Sequence, residues 1–294
     1  MRSGLWRVIL LFLAICMTAG VLDHSTAKAD NTIILSALGT PYLQNFDSLS
    51  NTTDSDSLPV GWVISESGSN GNNRYLASNG ISGSGDTYSF GSTGSTDRAL
   101  GGVQDNNLVP TFGASFTNHT GGVMKSLTIK YTGEEWRLAR TGRIDKIIFE
   151  LSTKATTLGN GVWKIDDELT FETPFQDQIG TKDGNLPRHR LDKLFTITGL
   201  TIAPGETFWI RWRDHNDALG KNDGLAVDDF SLIPNGVDYA PTLVTNTPAD
   251  TSVNVQLDAN LSLTFSEPVN LSEGWLSLSC SVSKQHNFSV SGGP

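Results

Sequence analysis

The sequence predicts an all-β protein, one long β-sandwich followed by the opening of a second β-domain. Three observations carry this. Past residue 30, no window keeps a helical period for long. The apolar residues instead alternate over short runs rich in β-branched and aromatic side chains. Gly, Ser, Thr and Asn fill the intervals, with turn signals at Asn70-Gly71, Asp183-Gly184 and Ala203-Pro204-Gly205.

Five runs read as strands. In Ser126–Thr132, Leu127, Ile129 and Tyr131 share one face, with Lys130 on the other. Lys146–Ser152, Leu194–Thr198 and Leu225–Ile233 are further candidates. In Thr207–Arg213, Phe208, Ile210 and Trp212 face one way, and Trp209, Arg211 and Arg213 the other. The stretch from Ser65 to Gly102 is rich in Gly, Ser and Asn, but Tyr75, Tyr88 and Phe90 argue for ordered loops on a sandwich. Residues 30–235 are long enough to bury a substantial core as one jelly-roll-like β-sandwich. Residues 236–241 lie in a segment with two prolines, a glycine and no apolar period, and read as a linker.

The two ends bound the setting. Arg2 and Arg7 precede an apolar run from Val8 to Leu22, and Ala27-Lys28-Ala29 places small residues where signal peptidase reads. Residues 1–29 are therefore expected to be a secretory signal peptide, cleaved before Asp30. The run is shorter than the ~20 residues of a spanning helix, which argues against a membrane anchor. Cys16 follows Ile15 rather than a small residue, so a lipoprotein signal is not expected. At the other end, Ala240-Pro241-Thr242-Leu243-Val244 opens a run of alternating strands with a turn at Thr247-Pro248-Ala249-Asp250. Residues 242–294 read as the N-terminal part of a truncated Ig-like domain, which needs ~100 residues and about seven strands to close. The mature chain keeps one cysteine, Cys280. Within the incomplete domain it is expected to pair with a partner absent from the chain, with a buried free thiol as the alternative.

The formal net charge is −10, and cleavage of three basic residues and one acid takes it to −12. Phosphate backbones and anionic lipid repel such a chain, so nucleic-acid binding is not expected.

Several phrases recur together: Gln44-Asn45-Phe46-Asp47-Ser48-Leu49, Leu58-Pro59-Val60-Gly61-Trp62, Tyr131-Thr132-Gly133-Glu134-Glu135-Trp136-Arg137, Phe208-Trp209-Ile210-Arg211-Trp212 and Gly224-Leu225-Ala226-Val227-Asp228-Asp229-Phe230. Their order resembles the N-terminal β-rich region of large secreted bacterial multidomain proteins. That region is often followed by Ig-like domains of the S-layer type, and some members carry an endonuclease/exonuclease/phosphatase domain further downstream. Thr264-Phe265-Ser266-Glu267-Pro268-Val269 and Trp275 resemble the Ig-like domain. More distantly, Phe46-Asp47, Pro59-Val60-Gly61-Trp62 and Val227-Asp228-Asp229-Phe230 are similar to jelly-roll adhesin and carbohydrate-binding modules. There the first and last strands lie near each other, and acidic residues often hold a structural calcium ion.

Candidate chemistry is sparse. Asp214, Asn216, Asp217, Asn222 and Asp223 crowd one hairpin, but Ala218 breaks the EF-hand pattern, and a solvated turn is the plainer reading. Asp228 and Asp229 sit on one strand, so one of them should point inward or toward an edge, where a carboxylate needs a cation or donors. A structural calcium held by Asp47, Asp228 and Asp229 is one expectation, and pairing to Arg98, Arg211 or Arg213 the other. Glu134-Glu135 and Asp166-Asp167 are neighbours that point apart, which does not make a glycosidase pair. The histidines are scattered, no Gly-x-Ser-x-Gly elbow is present, and no phosphate loop is present. Catalysis is not expected of this chain. Trp62, Trp136, Trp163, Trp209 and Trp212 could offer flat platforms to sugar rings, with Trp209 the best placed for exposure.

The sequence therefore points to an exported, non-catalytic portion of a bacterial surface or secreted protein. It would serve adhesion, substrate targeting or spacing, with carbohydrate or cell-surface material as partner. The alternatives are an accessory region of an extracellular nuclease or phosphatase, or a dedicated glycan-binding module.

Overall fold

The computed structural model describes residues 32–214, 222–237, 241–256, 259–265, 269, 278–280 and 284–286. The expected signal peptide, Asn216 to Ala218, Ser266 to Pro268 and Trp275 lie outside the described residues. In chain order the strands are β1 (Ile33–Leu35), β2 (Tyr42–Gln44), β3 (Trp62–Ser67), β4 (Tyr75–Ser78), β5 (Asp86–Phe90), β6 (Ala99–Val103) and β7 (Val109–Asn118). They continue as β8 (Val123–Leu138), β9 (Lys146–Ser152), β10 (Lys164–Ile165), β11 (Phe171–Glu172), β12 (Gly180–Thr181), β13 (Arg190–Ile197), β14 (Thr207–Asp214) and β15 (Gly224–Val237). Four short strands follow: β16 (Leu243–Thr247), β17 (Ser262–Phe265), β18 (Leu278–Cys280) and β19 (Lys284–His286).

Two sheets enclose the core. One is built on β7, β14 and β9, with β1 and β3 along the outer edge of β7 and β10 and β11 along that of β9. The other runs β8, β15, β6, β5, β4, with β12 and β13 on β8 and β2 on β15. This is the all-β sandwich expected. β16 pairs with β17, and β18 with β19, as separate ladders.

The alternation in β14 sets the core. Phe208, Ile210 and Trp212 are fully buried, each opposite another buried residue of β7: Phe116, Ala114 and Phe112. Trp212 sits at the centre. It stacks on Trp62 at 6.1 Å and Phe112 at 5.9 Å, and meets Tyr131, Phe149 and Phe230 edge-on. Edge-to-face and offset contacts of this kind add to the area these rings bury. Burial raises the Tyr131 hydroxyl above its ordinary range, and it donates to the Leu169 carbonyl. Asp47 is exposed, but its neighbour Phe46 is fully buried against Trp62 at 4.7 Å.

A second, smaller core lies on the opposite face of the β8–β15–β6–β5 sheet. Phe90 stacks on Trp136 at 6.1 Å, with Tyr88, Val103 and Ala226 around them. Gly184 packs against this Trp136 ring, where a Cβ would lie 2.5 Å from the indole. The Asp183-Gly184 turn signal thus marks a close contact as well as a turn.

Most expected strands are longer than their patterns. The expected Ser126–Thr132 run is the middle of β8, which continues through Gly133, Glu134 and Glu135. Charged neighbours disguise this stretch, yet Glu134 and Glu135 are both buried. The Ser65 to Gly102 stretch holds strands β4, β5 and β6 rather than ordered loops, with Tyr75, Tyr88 and Phe90 buried on them. β15 runs on to Val237, past the expected boundary at 235.

Candidate functional site

The outer face of the β7–β14–β9 sheet is the first candidate. Register places its side chains in three rows across the strands. Ser152, Trp209 and Ser115 form one row. Glu150, Arg211, Gly113 and Val63 form the next, and Ile148, Arg213, Thr111 and Ser65 the third. Gly113 has no room for a Cβ, which would lie 2.1 Å from the Ile210 carbonyl oxygen, so the middle row is shallow between Val63 and Arg211.

Trp209 is part-exposed on this face, whereas Trp62, Trp136 and Trp212 are buried in the two cores. Trp163, also part-exposed, lies over Arg211 with the guanidinium 3.9 Å from its ring. That is a cation–π contact of the common Arg–Trp type. Trp163 Nε1 donates to the Asn160 carbonyl at 2.6 Å, which holds its loop. Arg211 Nε donates to Glu150 at 2.6 Å, and Arg211 Nη1 donates to the Leu158 carbonyl. Arg213 Nε lies 3.6 Å from the same Glu150 oxygen. The two arginines are therefore engaged with Glu150, not with Asp228 or Asp229.

The second candidate is the Asp228-Asp229 corner. Strand alternation predicts that one carboxylate points inward or toward an edge, and Asp228 is the buried one, but a bulge rather than plain alternation separates the two. The β8–β15 register gains one residue on β15 between Asp228 and Ser231, a β-bulge, with Asp229 at φ 48°. Val227 and Phe230 can then both face the core. Asp228 is buried beside Glu134, and Asp229 is exposed 3.6 Å from Arg190. Burial, then the Glu134 charge, pushes the Asp228 carboxyl up to about 8. Burial likewise raises Glu134 to about 7, while Trp136 Nε1 donates to its Oε2 at 2.9 Å. Glu134 Oε1 is buried without a hydrogen bond. Asp47 has donors of its own. It accepts from Asn45 Nδ2 at 2.6 Å and from the Arg98 amide at 3.2 Å. Arg98 itself is buried and donates to Ser89 Oγ at 2.8 Å. The partner that sequence reasoning missed is Glu134, whose place beside Asp228 depends on strand register. Among the described residues, no three His, Cys, Asp or Glu side chains are gathered in a way that could hold a metal ion.

The third cluster was hidden in the acidic hairpin. Asp214, Asn222 and Asp223 are buried, not a solvated turn. Asp223 accepts from the Ala139 amide at 2.6 Å and from Thr173 Oγ1 at 2.8 Å. Asp214 accepts from the Gln104 amide at 3.0 Å. Asp145 accepts from the Asp223 amide at 2.7 Å. Arg143 bridges Asp145 and Asp223, 3.3 Å from each. Burial raises Asp145 to about 6 and holds Asp214 well above the carboxylate range, with Asp145 adding to it. These donors fix one end of the sandwich. Nothing in the sequence pattern tied Asp145 to Asp214 or Asp223.

Cys280 lies on β18 opposite Lys284 of β19.

Residues 237–293 match the bacterial Ig-like domain family. No curated protein sequence matches the chain. Among solved structures, the CBM22-1 xylan-binding domain from Paenibacillus barcinonensis is similar at 10% identity, covering 69% of this chain and 100% of that domain, with a TM-score of 0.34. A cleaved adhesin domain of Lys-gingipain from Porphyromonas gingivalis is similar at 14% identity, covering 67% and 100%, with a TM-score of 0.32. The family 11 carbohydrate-binding module from Clostridium thermocellum is similar at 14% identity, covering 69% and 100%, with a TM-score of 0.28. Likenesses at this level carry no argument about ligand.

Proposed function

We propose that this chain is an exported, non-catalytic binding module of a bacterial secreted or surface protein, and that its outer β7–β14–β9 face holds a carbohydrate or similar surface polymer. One observation carries the reading. Trp209 is part-exposed on an ordered sheet face, in a fold that buries Trp62, Trp136 and Trp212 completely or nearly so. A flat ring on a rigid strand stacks on the apolar C–H face of a sugar without losing much side-chain freedom. Catalysis finds no support in the same geometry. Glu134 and Glu135 are both buried, and His189 is buried with Nδ1 on the Asp183 carbonyl at 2.8 Å.

The test is a glycan array and polysaccharide pull-down on the mature chain. Trp209→Ala should weaken capture at least tenfold, with the melting midpoint nearly unchanged. Capture that survives Trp209→Ala, or no capture by the parent chain, removes the proposal. An accessory role beside a nuclease- or phosphatase-type domain is the alternative. It would show as nuclease activity in the full gene product that falls when residues 30–237 are deleted.

A structural calcium at Asp47, Asp228 and Asp229 is a separate proposal, and it requires the ion to draw these side chains together, since among the described residues no such group is gathered. Its support is the buried Asp228–Glu134 pair, in which Glu134 Oε1 has no hydrogen bond and is met by Arg190 Nη1 at the long ion-pair distance of 3.9 Å, leaving two carboxyls to one guanidinium. The carboxylates alone fall short of the six to eight oxygens calcium takes, so backbone carbonyls or water would complete the shell. Calcium should then raise the melting midpoint over EDTA. Equal midpoints dismiss the ion.

A further inference from the structure

We infer that the polymer held on the outer β7–β14–β9 face is an anionic polysaccharide, with Arg213 meeting its charged group and Trp209 a neighbouring ring. This rests on the binding-module reading and adds the ligand's charge. The chain as a whole carries a formal −10. Yet among the described residues of the three rows, Glu150 is the one acid, facing two guanidinium groups. These three rows therefore carry the opposite sign to the chain as a whole.

The two arginines are not equivalent. Arg211 is 13% exposed and is consumed by structure: Glu150 at 2.6 Å, the Leu158 carbonyl and the Trp163 ring. Arg213 is 34% exposed and lies 3.6 Å from the Glu150 oxygen that Arg211 already holds. Its Nε is buried and among the described residues has no hydrogen-bond partner, so the exposed part of the side chain that a ligand would meet is its terminal guanidinium nitrogens. One carboxylate shared by two guanidinium groups leaves one positive charge on the face. A ligand carboxylate or sulfate is the group that planar, forked donors recognise best.

Spacing supports a chain-like ligand. Trp209 and Arg213 are four residues apart on one side of β14. At ~3.3 Å per residue their Cα atoms are about 13 Å apart. That is the reach of a short run of sugars, not of one. Gly113 keeps the surface shallow beside the intervening Arg211. A nucleic acid would bring dense phosphate against a net-negative protein with one available guanidinium, which disfavours it.

The experiment measures binding of the mature chain to polygalacturonate, dextran sulfate and neutral dextran and xylan, at low salt and at 0.5 M salt. The inference expects at least tenfold tighter binding to one or both anionic polymers than to the neutral ones. The two anionic arms tell carboxylate from sulfate. Salt should weaken this binding severalfold by screening. Arg213→Gln and Trp209→Ala should each cost tenfold or more, while Arg213→Lys, which keeps the charge, should cost less. Equal binding of neutral glycans, sensitive to Trp209→Ala but not to Arg213→Gln, overturns the charge assignment and leaves the module reading standing. Anionic binding that neither substitution moves marks ion exchange elsewhere on the surface and overturns the inference. No binding to any polymer overturns both readings. Should Arg213→Gln fail to fold, the Arg213→Lys and salt arms still decide.

Discussion

Single buried carboxylates make the sharpest prediction. Asp145, Asp214 and Asp223 share one end of the sandwich, where Arg143 bridges two of them, and Glu135 faces the same end through the Phe175 amide. Three of these carboxyls have their proton affinity raised by burial: Asp145 to about 6, Glu135 to about 7, and Asp214 well above its ordinary range. The folded chain therefore holds protons that the unfolded chain has already lost. Their stability contribution is fully present below the ordinary carboxylate range. It is lost as pH rises through about 6 for Asp145 and about 7 for Glu135. Urea unfolding at pH 5 and pH 8 should show the chain less stable at pH 8, by on the order of 1 kcal/mol each for Asp145 and Glu135. Asp214→Asn keeps one acceptor oxygen and removes the charge, and should flatten the slope. Stability that rises over this window would contradict the assignment.

At the scale of the element, β15 depends on its bulge. Alternation alone would put Asp229 on the core side and Phe230 outside. The extra residue resets the phase, so that Leu225 and Val227 before it and Phe230 and Leu232 after it all reach the same core. Asp229 stands at φ 48°, which costs an ordinary L-residue about 1–2 kcal/mol and a β-branched one most. Asp229→Gly should then leave stability within about 0.5 kcal/mol of the parent or raise it, and Asp229→Val should lower it by about 1–2 kcal/mol. Equal effects in thermal melts would show that the backbone there is unstrained. The bulge was not legible beforehand, because Asp-Asp in a strand gives no local sign of a phase change. The Glu134–Glu135 tail of β8 was hidden for a similar reason. Charged residues read as surface until β12, β13 and β15 are laid beside them.

At the scale of the molecule, among the described residues the strands through β15 pair only with one another, and β16 to β19 form their own ladders. A chain of residues 30–237 should therefore melt cooperatively, with a midpoint within a few degrees of that of residues 30–294. One ending at residue 225 would lose most of β15 and should not fold. A broad, non-cooperative melt of residues 30–237 would show that the later ladders complete the core.

The sequence by itself determined the class: all-β, with the Phe208-Ile210-Trp212 face inward and Trp209, Arg211 and Arg213 outward. A two-residue period states which side chains share a face, and that information is local. It also carried the likeness to a bacterial Ig-like domain, which the match over residues 237–293 bears out. Tertiary structure decided what each face meets. Trp209 shares its row with Ser115 and Ser152, and Arg213 shares Glu150 with Arg211, because β7, β9 and β14 come together from distant parts of the chain. The same distance kept Asp145 from being read with Asp214 and Asp223, and Glu134 with Asp228. Burial and charge pairing are properties of register and layer contact, and neither is written in the spacing of neighbours along a chain.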